Sequence, residues 1–223
     1  MCTFKLVELL QDEKIQIGYQ APGKIRKVEK EMLDRTCYLI NLKDLNETGG
    51  INPMELNMTF PLRNPELYSV SANDLLFVAK GGNFRTICLS SEDLNVFPKV
   101  SVLASSAFYI LRITEQSRRY KSTTSESSSG PPVYPPYLAW FLNRAETQKK
   151  ITEMARGRGV QHVRKRDLQD LQVRLPSWDT QKRIADLAEE FQREKTETRE
   201  YLAAKENMIE KMAEYAIATD LDQ

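Results

Sequence analysis

Short apolar runs punctuated by glycine, proline or charge occupy the chain as far as Ile113, and an uninterrupted helical pattern occupies its end. The first run (Phe4, Leu6, Val7, Leu9, Leu10) passes into the alternation Ile15-Gln16-Ile17-Gly18. This predicts a short helix or turn, then a strand stopped by Gly18. Residues 21–35 are polar and basic and read as loop or surface, and 37–42 read as a buried strand. Gly49-Gly50 marks a turn, and 54–62 is a weaker strand broken by Pro61 and Pro65. The clearest β segment is 74–79, followed by Lys80-Gly81-Gly82-Asn83 and by strands at 86–89, 99–103 and 107–113. Short strands with glycine or polar turns at this spacing predict a curved sheet or open barrel.

Residues 122–130 are almost all serine and threonine, which cannot bury a core, and read as a mobile loop stiffened at its exit by Pro131, Pro132, Pro135 and Pro136. A helix is expected over 137–155, with Leu138, Phe141, Leu142, Ala145, Ile151 and Met154 on its apolar face. Residues 156–166 form a basic loop, and the alternation of Leu168, Leu171, Val173 and Leu175 predicts a turn and a last strand. From 179 to 219 there is no proline or glycine, and helix formers dominate. Such a helix runs roughly 60 Å at about 1.5 Å per residue, too long for a small domain to cover. Ile184, Leu187, Phe191, Tyr201, Met208, Met212 and Tyr215 fall on a heptad seam, interrupted by Glu194, Thr198 and Lys205. This is a coiled-coil pattern, strong at both ends and weak in the middle.

Composition narrows the classes. At 41% hydrophobic and 9% aromatic, the 223-residue chain can bury a core. No apolar run approaches the ~20 residues of a membrane span. The N-terminus, with Glu8 and Asp12, lacks the basic-then-apolar order of a signal peptide. Cys2, Cys37 and Cys88 are too few and too scattered for a disulfide framework or a zinc cluster, so a cytoplasmic location and no metal are expected. The single histidine, His162, argues against a catalytic triad or a multi-histidine metal site.

Charge is asymmetric beneath a net of +1. Residues 179–223 carry 7 basic and 12 acidic groups, a net of −5; residues 1–178 carry the remaining 25 and 19, a net of +6. Three basic clusters stand out. Lys80, Asn83 and Arg85 lie on a turn leaving a strand. Arg118, Arg119 and Lys121 precede the serine-rich loop. Arg156, Arg158, Gln161, His162, Arg164 and Lys165 lie, with Arg166, in a stretch without acid. Any one cluster reads as ordinary solvated surface; three in a body of net +6 point to phosphate binding. Arginine, lysine, glutamine and asparagine can also read base edges, and the interleaved glycines allow close backbone approach. His162 suits a phosphate, a base or no role at all.

Enzyme motifs are weak. Tyr134-Pro135-Pro136-Tyr137 is close to the loop of amino-methyltransferases, but Tyr134 stands where that loop carries a short amide, acid or hydroxyl group, and no glycine-rich cofactor loop follows an early strand. Gly157-Arg158-Gly159 lacks the strand and third glycine of a dinucleotide site. No phosphate loop and no Pro-Asp dipeptide of a common nuclease motif occurs. No catalytic residue and no cofactor are expected.

In order, these segments resemble the specificity (S) subunit of type I restriction-modification systems. The resemblance runs from Lys5-Leu6-Val7-Glu8-Leu9 and Ile15-Gln16-Ile17-Gly18 through Tyr38-Leu39-Ile40-Asn41, Asp44-Leu45 and Asp74-Leu75-Leu76 to Lys80-Gly81-Gly82. Its most specific part is Tyr137-Leu138-Ala139-Trp140-Phe141-Leu142-Asn143, then Gly159-Val160-Gln161-His162-Val163, then Leu168-Gln169-Asp170-Leu171-Gln172-Val173-Arg174-Leu175-Pro176 and Gln181-Lys182-Arg183-Ile184 before the long helix.

The resemblance implies an α+β protein. A target-recognition domain at 1–178, with a curved β-sheet or open barrel and flanking helices, is followed by a long C-terminal helix at 179–223 that forms a coiled coil for dimerisation and methyltransferase-subunit docking. Family members usually carry two such halves; one half and no internal repeat are found here. A half-subunit is therefore expected to pair with a second copy and read an interrupted palindrome on double-stranded DNA. Methyltransferase (M) and restriction (R) subunits would be its partners, and it would be non-catalytic. Two other readings stay open: a solitary DNA-binding or regulatory protein of the same fold, and a coiled-coil interaction module with incidental charge.

Overall fold

The computed structural model describes residues 2–20, 37–45, 50–51, 57–59, 65–95, 97, 101–113 and 132–221. The expected surface segment 21–35 and the serine-rich loop 122–130 lie outside them, as do Gly49, Pro61 and Pro131. Two compact units are present, Met1–Ile184 and Ala185–Gln223.

Nine strands and five helices make the described α+β architecture. The strands are β1 (Cys2–Lys5), β2 (Gln16–Ile17), β3 (Cys37–Ile40), β4 (Asn57–Thr59), β5 (Leu75–Val78), β6 (Thr86–Cys88), β7 (Val102–Ala104), β8 (Phe108–Leu111) and β9 (Gln172–Leu175). The helices are α1 (Ser91–Asn95), α2 (Pro135–Asn143), α3 (Ala145–Met154), α4 (Lys165–Gln169) and α5 (Trp178–Leu221).

The strands fall into three ladders, ordered β2-β8-β5-β6, β4-β3-β7 and β1-β9, and among the described residues the sheet does not close into a barrel. All neighbours are antiparallel except β3 and β7, which run parallel with Tyr38 opposite Val102. Single bridges, Tyr19 to Ser105 and Ser69 to Leu103, continue the pairing beyond the named strands.

β5 explains its own position. Leu75-Leu76-Phe77-Val78 is apolar without alternation, which suits a strand covered on both faces, and all four residues are buried between β8 and β6. Each fully buried side chain of this size contributes about 1.5–3 kcal/mol. Ile40, Leu76, Val78, Val102, Phe108 and Ile110 belong to one core cluster.

At the end of β8 and the start of β5 lies a part-buried ion pair that the chain pattern does not announce. Asp74 is almost wholly buried and accepts from Arg112 Nε at 3.1 Å and from the Ser71 N–H at 2.9 Å. The same guanidinium donates to the Ser69 carbonyl and to Gln16 Oε1.

The short helix or turn expected in the first apolar run is the 3-10 turn Leu6–Leu9, and the strand after it is β2; β1, which precedes them, was not expected. β1 forms because β9 pairs with it, Cys2 opposite Leu175, a partner some 170 residues away that no local pattern reveals. The helix expected over 137–155 is two helices. Arg144 takes an extended conformation (φ −60°, ψ 142°), and its guanidinium lies over the rings of Trp140 and Phe141. Leu138, Phe141, Leu142 and Ile151 are buried as expected, but from two helices. Pro135 and Pro136 occupy the first turn of α2, where a missing N–H costs nothing.

In the C-terminal unit, Leu187, Phe191, Tyr201, Met208, Met212 and Tyr215 of α5 are each more than half exposed. Leu202, Ile209 and Ile217, also exposed, broaden the apolar stripe beyond the heptad positions.

Candidate nucleic-acid interface

The loop leaving β5 turns on Gly81 (φ 113°) and Gly82 (φ 86°), a conformation that side chains with a Cβ rarely adopt. Phe84 then plunges into the core and β6 begins. Lys80 and Asn83 are thereby left on the surface, while Arg85 is half-buried.

The second basic segment is a short hairpin after α3. The Arg156 N–H donates to the His162 carbonyl and the His162 N–H donates to the Arg156 carbonyl, both at 2.9 Å. Gly157 (φ 125°) makes the return possible, since a Cβ there would meet the Val160 carbonyl oxygen at 2.5 Å. Arg156, Arg158, Gln161 and His162 are all exposed.

These two segments meet. His162 bridges Lys80 antiparallel, the Gly81 N–H donates to the Gln161 carbonyl at 2.9 Å, and the Val163 N–H donates to the Ala79 carbonyl at 3.0 Å. Val163 is fully buried and its carbonyl accepts from the Tyr109 hydroxyl at 2.9 Å. Residues about 80 positions apart in the chain thus form one tip of three extended segments, Lys80, His162 and Arg156, rooted in the sheet core. Neither cluster's local sequence encodes this meeting; it follows from the buried anchors Ala79, Phe84 and Val163.

The other site residues divide. Arg164 is exposed but engaged, donating through Nε and Nη2 to the two carboxylate oxygens of Asp167 at 2.9 and 3.1 Å. Those bonds hold the Asp167 carboxyl below its ordinary range, with Arg156 and Arg166 adding to the effect, and raise the Arg164 guanidinium further. Lys165 is partly buried at the start of α4, which corrects the reading of 156–166 as loop throughout. Arg118, Arg119 and Lys121 lie outside the described residues.

The sequence reading missed a second cationic surface. Thr3, Phe141, Arg144, Glu146, Lys150 and Arg174 line an open cleft of about 330 Å³ between the β1–β9 ribbon and helices α2 and α3. It is largely self-neutralised. Glu146 accepts from Lys150 at 3.1 Å and lies 3.6 Å from Arg144, and the bond to Lys150 holds its carboxyl below the ordinary range.

Gln181, fully buried at the start of α5, fixes the junction. Its Oε1 accepts from the Tyr134 N–H at 2.9 Å, and its Nε2 donates to the carbonyls of Pro132 at 2.9 Å and Pro176 at 3.0 Å. Tyr134 and Trp178 pack edge to face beside it, with ring centroids 5.4 Å apart. Among the described residues, no group of three histidine, cysteine, aspartate or glutamate side chains is placed to hold a metal ion. No described helix is long and apolar enough to cross a membrane. The tip offers cations, amides and exposed backbone, which can hold phosphates and contact base edges.

No family model matches the chain, and no curated protein matches it. Solved structures do. The HsdS subunit from Thermoanaerobacter tengcongensis is similar at a TM-score of 0.55 and 13% identity, over 89% of this chain and 43% of that one. The type I restriction-modification S subunit from M. genitalium is similar at 0.50 and 11%, over 85% and 38%. A third structure, described as showing complex assembly and conformational transition of the type I restriction-modification system, is similar at 0.58 and 12%, over 95% and 43%. The chain spans about two-fifths of the length of these structures, and over that span its fold is similar to that of type I restriction-modification specificity subunits.

Proposed function

We propose that the chain is the sequence-reading, non-catalytic subunit of a type I restriction-modification complex, acting as a half-subunit in the cytoplasm. Residues 1–178 are the target-recognition domain and 179–223 the helix for dimerisation and M-subunit docking. The observation that carries this reading is the joining of the Lys80 and Arg156–His162 segments into one cationic tip on this fold. Two copies pair through the exposed α5 stripe and present two tips to double-stranded DNA, so the site is an interrupted palindrome. M subunits then supply the methyl donor and flip the adenine, and R subunits supply cleavage.

If each protomer neutralises about five phosphates, its affinity falls by nearly three decades between 50 and 200 mM salt. The test is selection from random duplexes by the full-length chain together with an M subunit. A gapped, inverted-repeat motif is expected, and recovery of no gapped motif overturns the proposal.

A further inference from the structure

The heptad seam of α5 carries two charges that the chain's own contacts do not explain. Glu194 and Lys205 occupy core positions of the heptad, both are exposed, and among the described residues neither has an ion-pair partner. The Lys205 ammonium lies over the ring of Tyr201, itself a seam residue, at 4.7 Å from its centroid. A charge at a coiled-coil core position costs stability and fixes alignment, because the partner helix has to answer it.

A second copy laid antiparallel answers both charges. Core positions of the two helices then meet about a twofold axis between Arg199 and Glu200. Ile184 meets the partner's Tyr215, Leu187 the partner's Met212, and Phe191 the partner's Met208. The same alignment sets Glu194 against the partner's Lys205, twice by symmetry, and Thr198 against the partner's Tyr201. The apolar ends and the polar middle of the seam are thus self-complementary in one register. Sliding the partner by one heptad, about 10 Å, sets Leu187 against Lys205 in one direction and Glu194 against Met212 in the other. Parallel pairing in register sets Glu194 against Glu194 and Lys205 against Lys205, like charges in both places.

We infer that Glu194 and Lys205 fix the direction and register of an antiparallel homodimer of α5, each Glu194 carboxylate pairing with the partner's Lys205 ammonium. The inference rests on the pairing of two copies proposed above and deepens it, from an apolar stripe to a single alignment with a charge pair on either side of the twofold axis.

Two measurements on the full-length chain test it. A carbodiimide, which couples a carboxylate to an amine with no spacer, should join Glu194 to Lys205 in the wild-type dimer. Along one helix these residues stand about 16 Å apart, so a peptide pair carrying that bond comes from two chains. In sedimentation, Glu194→Lys and Lys205→Glu should each raise the dimer dissociation constant about tenfold, since each turns two attractions into two repulsions. An equimolar mixture of the two variants should pair as the wild type does, and so should the chain carrying both substitutions. Net charge alone gives the opposite sign for one of them: residues 179–223 carry −5, so Glu194→Lys would strengthen pairing if only overall repulsion counted. Glutamate and lysine are both good helix formers, so intrinsic helix propensity is kept. A dimer that yields no Glu194–Lys205 bond, single variants that pair as the wild type does, or a mixture that is not restored overturns the inference. Substitutions that change only the affinity for an M subunit overturn it as well. A wild type that stays monomeric is a separate result, which removes the proposed pairing itself and the register with it.

Discussion

The side-chain amide of Asn143 replaces a neighbouring strand along β6: its Oδ1 accepts from the Thr86 N–H and its Nδ2 donates to the Thr86 carbonyl, both at 2.7 Å. Thr86 is buried and β6 is the last strand of its ladder, so among the described residues these two backbone groups have no strand beyond them. Gln148 adds a bond from Nε2 to the Phe84 carbonyl at 3.0 Å. The end of α2 and the start of α3 thereby fix where the Lys80–Arg85 loop re-enters the sheet. Replacing Asn143 with alanine should cost about 2 kcal/mol, read from urea unfolding. Aspartate should recover only part of that, because it can accept from Thr86 but cannot donate to it.

Gln181→Leu should be more damaging than its conservative volume suggests. It strands one N–H and two carbonyls in a buried junction. A loss of about 3 kcal/mol corresponds to a fall in Tm of about 6–12 °C for a domain of this size. Gln181→Glu keeps the acceptor for Tyr134 but loses both donated bonds, so it should melt low as well.

The exposed cations should differ in their effect on DNA binding. Neutralising Arg158 or Lys80 should reduce the slope of log affinity against log salt by about one each. Arg164→Gln should change it less, because Asp167 already holds that guanidinium. Salt titrations of a fluorescent duplex measure all three.

The Arg164–Asp167 pair also carries a pH signature. The Asp167 carboxyl is depressed in the folded chain, chiefly by its hydrogen bond from Arg164. Its contribution to stability is therefore present above the unfolded carboxylate value, about pH 4, and is lost as pH falls through the lower folded value. Side-chain carboxyl NMR should place the Asp167 titration below the usual range in the wild type and back within it in Arg164→Gln.

Met208→Glu combined with Met212→Glu should abolish pairing through α5. Both positions are exposed on the apolar stripe, and glutamate is a good helix former, so intrinsic helix propensity is kept. Sedimentation should show a wild-type dimer at micromolar concentration, and a dissociation constant raised about a hundredfold or more in the double variant.

Several elements were legible from local pattern alone. The unbroken apolar run at Leu75–Val78, the alternation at Val173 and Leu175, and the proline-free, glycine-free stretch that becomes α5 each encode their state in neighbouring residues. Periodicity reports which face is buried, and that suffices where a segment's environment is uniform along its length. The break at Arg144 was not legible, since nothing in its neighbourhood is a helix breaker; the turn there depends on ring stacking and on where Asn143 and Gln148 find their partners.

The chain's own chemistry determined the charge split between body and helix, the helical end, the strand-rich body and the residue types able to meet DNA. Only the tertiary structure decided that Lys80 and His162 lie side by side, that Cys2 pairs with Leu175, and that Arg164 is occupied by Asp167 while Arg158 stands exposed. The reason is physical. Composition and periodicity are local properties, whereas these pairings are made by backbone hydrogen bonds and buried anchors between residues far apart in the chain, and those exist only once the whole core has formed.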